Sequence, residues 1–197
     1  MDVNEKAIEV YREALRTDDE AFLKALADRT GLVQIPKGTI LFRENEPIND
    51  CYCLIRGIIR ISYQMEGEDI TEALRNDFGT IVYPCVEVTG SNDRANGTVI
   101  ALTNCEMLHM NVEDLWQVSQ DHPEFFRIQL RLVCRFVDRS FKLKRHLTHL
   151  GPTARYLWFI QNRPDLVENV PQKYIASFLG MTPVSLSRIR SKLKEKQ

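Results

Sequence analysis

The sequence lacks the features that mark membrane, secreted and metal-binding proteins. No apolar run reaches the roughly 18 residues that a membrane-spanning helix needs, so no membrane association is predicted. Residues 1–20 carry charges throughout, which excludes a secretory signal peptide. The five cysteines are odd in number and scattered. We therefore expect free thiols, no metal site, no cofactor and a cytoplasmic protein.

Motifs of the common enzyme classes are also missing. The chain has no glycine-rich loop that would cradle a phosphate, no HExxH zinc motif and no nucleophile elbow. Hydrophobic residues make up 44% of the chain, which is enough for a packed core. The sequence therefore predicts a folded protein that is not an enzyme.

Charge is distributed unevenly along the chain. Residues 171–197 contain six basic residues and one acidic residue, a net charge of +5. The whole chain carries −1, so the remaining residues carry −6. A basic segment on an acidic body is typical of proteins that bind phosphate groups. A solvated basic tail is the alternative interpretation.

The same segment has the pattern of two short helices joined by a tight turn. Residues 172–179 predict the first helix, and Gly180 can adopt the left-handed conformation that ends it. Thr182 is a predicted N-cap, followed by Pro183 at the first helical position. Leu186, Ile189 and Leu193 would be buried in the second helix, which runs to about residue 194. This pattern predicts a helix-turn-helix.

The rest of the chain predicts an α+β fold. Residues 1–30 have helical periodicity, with a break at residues 17–19. From residue 31 to residue 110, short alternating runs separated by turn residues predict seven or eight strands, arranged as an antiparallel, jelly-roll-like β-roll. A short helix follows at residues 112–116. A roll of this kind encloses a small cavity, so a ligand pocket is plausible.

A long helix is predicted from Pro123 to Leu150, with a hinge at Gly151-Pro152. Two apolar stripes on it imply two packing partners, which we interpret as the β-roll and the same helix of a second subunit. One stripe contains Phe126, Leu130, Val133 and Val137; the other contains Leu132, Phe136, Leu143, Leu147 and Leu150. Arginines recur every four residues, at positions 127, 131, 135 and 139, so ion pairing, solvation or an anionic effector should compensate their repulsion. After the hinge come a helix at residues 153–160 and a loop at residues 162–165.

This order of β-roll, long helix, hinge and helix-turn-helix resembles the Crp/Fnr family of bacterial transcription factors. The segment Ile175 to Ile189 carries the most specific part of the resemblance, and the turns at residues 54–57 and 76–79 are also similar. The resemblance implies three parts: a sensor domain at residues 1–122, a dimerisation helix at 123–150 and a DNA-binding domain at 151–197. Many members have a β-hairpin wing after the recognition helix, and the sequence ends at Gln197 without one.

The resemblance also implies which residues contact DNA. The second helix, about residues 182–194, would enter the major groove. Val184 is placed to contact a thymine methyl group, and Arg188 to contact a base or phosphate. The predicted DNA-binding residues are Lys173, Thr182, Pro183, Val184, Ser187, Arg188, Arg190 and Lys192.

The sensor half departs from the members that bind cyclic AMP. Those members hold the ribose with a Gly-Glu pair and the phosphate with an Arg-Ser pair. Residues 80–98 contain neither pair, and Ala95-Asn96 stands where Arg-Ser is expected. The N-terminal cysteine cluster of the iron-sulfur members is absent as well. Cys51 and Cys53 would share one face of a strand, and we interpret them as core residues instead of metal ligands. Candidate effector-pocket residues are Glu87, Arg94, Asn96, Arg139 and Ser140.

Together these patterns predict a homodimeric transcription regulator that binds a palindromic DNA operator. RNA polymerase and an unidentified small-molecule effector other than cyclic AMP are further candidate partners. The alternative is a small-molecule sensor that acts through protein–protein contacts and binds DNA weakly or not at all. The dependence of DNA binding on salt would distinguish these hypotheses.

Overall fold

A computed structural model describes residues 2–83 and 94–195 of the chain. In these residues, eight strands form two four-stranded antiparallel sheets, and eight helices surround them. The strands are β1 (Gly31–Ile35), β2 (Ile40–Phe42), β3 (Asp50–Arg56), β4 (Ile59–Met65), β5 (Glu68–Arg75), β6 (Thr80–Val82), β7 (Thr98–Ala101) and β8 (Cys105–Asn111). The helices are α1 (Val3–Leu15), α2 (Glu20–Ala27), α3 (Val112–Asp121), α4 (Glu124–His149), α5 (Pro152–Asn162), α6 (Pro164–Asn169), α7 (Gln172–Phe178) and α8 (Pro183–Lys194).

The two sheets face each other as the predicted β-roll. The first has the strand order β1-β8-β3-β6, and the second has the order β2-β7-β4-β5. Alternation along β3 divides its side chains between two cores. Leu54 packs between the sheets, whereas Cys51 and Cys53 lie in the core beneath the helices on the outer face. The α+β fold and the burial of these two cysteines are confirmed.

The N-terminal helices cover the outer face of the first sheet. Asp2 caps α1 in a capping box with Glu5, and the Asp19 carboxylate accepts a hydrogen bond from the Phe22 backbone N–H at 3.0 Å. Phe22 and Leu23 are fully buried there with apolar residues of the first sheet. These helices therefore form one wall of a core that lies outside the roll.

Helix α4 confirms one predicted apolar stripe and corrects the other. Phe126, Leu130, Val133 and Val137 are 41–66% exposed in the single chain, and we name them the exposed stripe. In the second predicted stripe, Leu132 packs in the N-terminal core, while Leu143 and Leu147 pack against the C-terminal helices. Phe136 was wrongly assigned to this set. It is 57% exposed, because at its level neither the roll nor the C-terminal helices pack against its side chain.

The arginines of α4 have different environments. Arg127 pairs with Glu124 at 3.2 Å, and Arg139 pairs with Asp77 of the roll at 3.2 Å. The Arg131 Nε atom is buried without a hydrogen-bond partner among the described residues. Desolvation, together with neighbouring arginines, lowers the pKa of Arg135. Ion pairing therefore compensates two of the four charges, as one of the interpretations predicted.

The predicted loop at residues 162–165 was wrong. Residues 164–169 form α6, and only Arg163 separates it from α5. Pro164 occupies the first helical position, where its missing N–H costs nothing, and Leu166 is fully buried. Tertiary burial of one leucine thus stabilises a six-residue helix too short to show a clear sequence period.

The C-terminal helices share a core with the second sheet. Phe159, Ile175 and Leu186 belong to a cluster that also contains Ile58 and Leu74 of the roll. No helix in the described parts of the chain combines the length and the apolar character that a bilayer crossing requires.

Candidate nucleic-acid interface

The first helix of the predicted motif, α7, ends in a paired set of backbone hydrogen bonds. The Met181 N–H donates to the Ala176 carbonyl at 3.0 Å, and the Gly180 N–H donates to the Ser177 carbonyl at 3.0 Å. This is a Schellman motif, which requires a left-handed residue after the helix. Gly180 supplies it with a φ of +63°, as the sequence predicts.

Arg155 of α5 holds the turn from outside the motif. Its Nη1 atom donates to the Leu179 carbonyl at 2.6 Å. A Cβ atom at position 180 would lie 3.1 Å from the same nitrogen. The turn is therefore fixed by a side chain 24 residues earlier in the chain, a role that the sequence pattern did not reveal.

The second helix, α8, begins at the predicted cap. The Thr182 hydroxyl accepts a hydrogen bond from the Ser185 backbone N–H at 3.1 Å, and Pro183 follows at the first helical position. Thr182 is thus engaged in capping, but its side chain remains exposed. The cap sets the direction in which the first turn of α8 leaves the protein.

The two helices are held together by their apolar faces. Leu186 and Ile189 are buried on α8, and they share a core with Ile175, Ala176 and Leu179 of α7. Leu193 is partly buried at the edge of the same core. The opposite face of α8 must therefore point away from the protein.

That opposite face carries the predicted contact residues. Val184 is 60% exposed, and Ser187, Arg188 and Lys192 are exposed as well. Arg190 is half-buried at the flank. Arg188, Arg190 and Lys192 form no ion pair with the described residues, so their charge is available to an external anion. A first turn with small, apolar and cationic side chains fits a major groove.

A groove of about 320 Å³ lies between α7 and α8. Arg190 and Lys194 line one side of it, and Gln172 lines the other. The Gln172 Oε1 atom is buried and has no hydrogen-bond partner among the described residues. We identify Gln172 as a candidate contact residue that sequence reasoning missed, since a polar residue in a helical first turn gives no signal of its own. Lys173, which was predicted to bind DNA, is exposed and holds its ammonium 4.8 Å from the Tyr174 ring centroid.

Comparison with known proteins gives matches over most of the chain. Residues 32–122 match the family model described as a cyclic nucleotide-binding domain. The global nitrogen regulator of Synechocystis sp. is 24% identical, over 79% of this chain and 74% of that protein. The structure of FixK2 from Bradyrhizobium japonicum has a TM-score of 0.71 at 14% identity, covering 85% of both chains. This chain has the Crp/Fnr fold. The global regulator CLP from Xanthomonas campestris gives a TM-score of 0.69 at 21% identity, over 90% of this chain and 93% of that one.

The resemblance to the Crp/Fnr regulators predicted from the sequence is thereby confirmed. The relatives that match are named as regulators, not as enzymes. Within the described residues, no group of three or more His, Cys, Asp or Glu side chains is arranged to hold a metal ion.

The predicted effector residues do not meet in one pocket among the described residues. Arg94 is exposed, and its Nη1 atom donates to the Asn45 carbonyl at 2.6 Å. Asn96 and Ser140 are exposed. Ala95, which precedes Asn96, is buried and only 2% exposed. Arg139 pairs with Asp77. Glu87 lies outside the described residues.

The helix-turn-helix docks on the outer face of the second sheet. Arg60 of β4 is 4% exposed, and its guanidinium lies 4.1 Å from the Tyr174 ring centroid of α7. The Thr71 backbone N–H of the edge strand β5 donates to the Ser177 hydroxyl at 2.8 Å. We name Arg60, Thr71, Tyr174 and Ser177 the docking contact. It ties the helix-turn-helix to the roll.

Proposed function

We propose that this chain is a homodimeric, DNA-binding transcription regulator of the Crp/Fnr type, with α8 in the major groove. The observation that carries the proposal is the outward face of α8. Its apolar side packs on the core, its cap is formed, and its exposed side presents cations without ion pairs to the described residues, together with small side chains. The proposed parts are a sensor domain at 1–122, a dimerisation helix at 123–150 and a DNA-binding domain at 151–197.

Each residue on that face has a distinct proposed role. Arg188 would donate two hydrogen bonds to a guanine edge or contact a phosphate, and Val184 would contact a thymine methyl group. Arg190 and Lys192 would contact phosphates on either side of the groove. Such cations supply affinity without reading sequence, whereas Arg188 and Val184 would read it.

Selection from a pool of random DNA duplexes tests the proposal directly. The full chain should enrich a palindrome with half-sites about 10 base pairs apart, one for each subunit. Affinity for the selected site should then fall steeply with salt, with a slope of about −0.9 per phosphate contact. Enrichment of no sequence together with a flat salt dependence would favour the protein-contact sensor instead.

The Arg188→Ala variant should weaken binding to the selected operator and leave the fold unchanged. Its side chain is exposed and packs in no core, so truncation removes only the contact with DNA, about 1–3 kcal/mol. Fluorescence anisotropy at fixed salt measures the effect. The control is Arg29→Ala, an exposed arginine just after the end of α2, which should change affinity little. Equal affinities for both variants would contradict the placement of α8 in the groove.

Cyclic AMP should bind with millimolar affinity or worse. A cyclic phosphate is a buried anion that needs a cation and several N–H donors, and Ala95 offers neither. The missing phosphate and ribose contacts cost about 1–3 kcal/mol each. Calorimetry with cyclic AMP and cyclic GMP measures this. Micromolar binding that Arg94→Ala abolishes would show instead that Arg94 leaves Asn45 and enters a working pocket.

A cytoplasmic location, contact with RNA polymerase and regulation by a small molecule complete the proposed function. These follow from the resemblance to Crp/Fnr regulators. No reaction is assigned to the protein.

A further inference from the structure

A cavity of about 140 Å³ lies outside the β-roll, between the first sheet and the helices that cover it. Its deep wall is formed by buried side chains from four elements, namely Tyr11, Phe22, Cys53 and Ile128. Most of its lining belongs to the core beneath the outer helices, which contains Cys51 and Cys53. Tyr52, Val112 and Trp116 extend the lining to the edge of the core between the two sheets, where Leu54 packs. It therefore differs from the pocket inside the roll that the sequence led us to expect.

The chemistry of the lining is apolar and uncharged. Aliphatic, aromatic and sulfur-containing side chains dominate, and no Asp, Glu, Lys, Arg or His is among the lining residues that the structure describes. The Tyr11 hydroxyl is already hydrogen-bonded to Thr30 Oγ1 at 3.0 Å. Burial raises the pKa of the Cys51 and Cys53 thiols to about 12, so both are neutral at physiological pH. A bound anion would be buried without a positive charge among these lining residues, which is costly. An apolar ligand has no polar group that would need a hydrogen-bond partner.

The size of the cavity limits the ligand further. An apolar protein cavity of about 150 Å³ stays free of water and binds benzene or xenon. This cavity has a similar volume, and the partly exposed Trp116 and Gln129 lie among its lining residues. We propose that the cavity binds a small, uncharged, apolar molecule of about the size of benzene.

The position of the site connects it to the dimerisation helix. Phe125, Ile128 and Leu132 of α4 line the cavity, and the exposed stripe begins on another face of the same helical turns, with Phe126 and Leu130. Filling the cavity would restrict this end of α4 relative to the sheet. Calling the ligand an effector rests on the proposed function. Ligand binding itself is measured without DNA, so a chain that does not bind DNA could still bind the ligand, and the reverse.

The test is a titration of the full chain with benzene. The chain has two tryptophans, and Trp158→Phe leaves Trp116, a lining residue, as the single fluorophore. We expect a saturable change in Trp116 emission and a concentration-dependent rise in melting temperature, because the ligand binds only the folded state. Benzoate, which adds a charge to the same ring, should produce neither. The absence of both benzene effects, or equal effects of benzoate, would overturn the proposal.

Variants locate the binding. Ile128→Phe fills the cavity from its deep wall and should weaken benzene binding at least about tenfold, a loss of about 1.4 kcal/mol. Leu115→Phe should also fill the cavity and weaken benzene binding. Because Leu115 is partly exposed, the larger ring is easier to accommodate there. The control is Ile40→Phe, an exposed position on β2 outside the lining, which should bind benzene as the parent does. If folded Ile128→Phe and Leu115→Phe both bind like the control, the site is not this cavity.

Discussion

Replacing Leu130 with aspartate is expected to convert the proposed dimer into monomers and to remove most of the affinity for the proposed operator. Leu130 is 66% exposed in the single chain and lies at the centre of the exposed stripe. The members of the stripe follow one another at spacings of four, three and four residues, which is the seam of a two-stranded coiled coil. The sequence and the structure thus leave an apolar helix face that a second copy of α4 would cover.

The size of the effect follows from symmetry. Burying one leucine contributes about 1.5–3 kcal/mol, and a two-fold interface contains the residue twice. Two facing aspartates would add repulsion. A monomer also contacts one half-site only, so the operator affinity should fall by about 100-fold or more.

Sedimentation at micromolar concentration measures the dimer, and fluorescence anisotropy measures DNA affinity. The control is Leu130→Met, which keeps the apolar character and nearly the volume, and should remain dimeric. A dimeric Leu130→Asp variant with full affinity would place the subunit interface elsewhere. A monomeric parent chain would remove the proposed dimer altogether.

Replacing Arg60 with alanine is expected to loosen the helix-turn-helix from the roll and to lower the free energy of unfolding by about 2–4 kcal/mol. The guanidinium lies over the Tyr174 ring, and its Nε atom donates to Thr71 Oγ1 at 2.8 Å. The Arg60 side chain is 4% exposed and Thr71 is buried, while Tyr174 is half-buried, so water replaces these contacts poorly. The ion pair with Asp69, at 2.9 Å, adds less because that carboxylate is 45% exposed.

Urea unfolding measures the decrease in the free energy of unfolding. A double-mutant cycle with Tyr174→Leu shows how much of that decrease comes from the contact between Arg60 and Tyr174. We expect a coupling of at least about 0.5 kcal/mol between Arg60 and Tyr174. The control is Arg43→Ala, an exposed arginine without an ion pair to the described residues, which should stay within about 0.5 kcal/mol of the parent. Additive effects of Arg60→Ala and Tyr174→Leu would show that the two side chains do not act together.

Short-range features were readable in the sequence. Gly180, Thr182 and Pro183 specify a helix end, a cap and a helix start within four residues, so the turn of the motif follows from local hydrogen bonding and backbone sterics. The alternation in β3 placed Cys51 and Cys53 on one buried face for the same kind of reason. Local periodicity also predicted α4 and its exposed stripe.

Long-range packing decided the rest. Thr71 and Ser177 are 106 residues apart, and the local sequence around neither residue predicts the hydrogen bond between them. Phe136 has the spacing of a buried residue, yet its exposure depends on where the neighbouring elements stop. The apolar cavity exists only because Tyr11, Cys53, Trp116 and Ile128 converge from four separate elements. Periodicity tells which face of an element is apolar, but only the tertiary structure decides what covers that face and where a space remains.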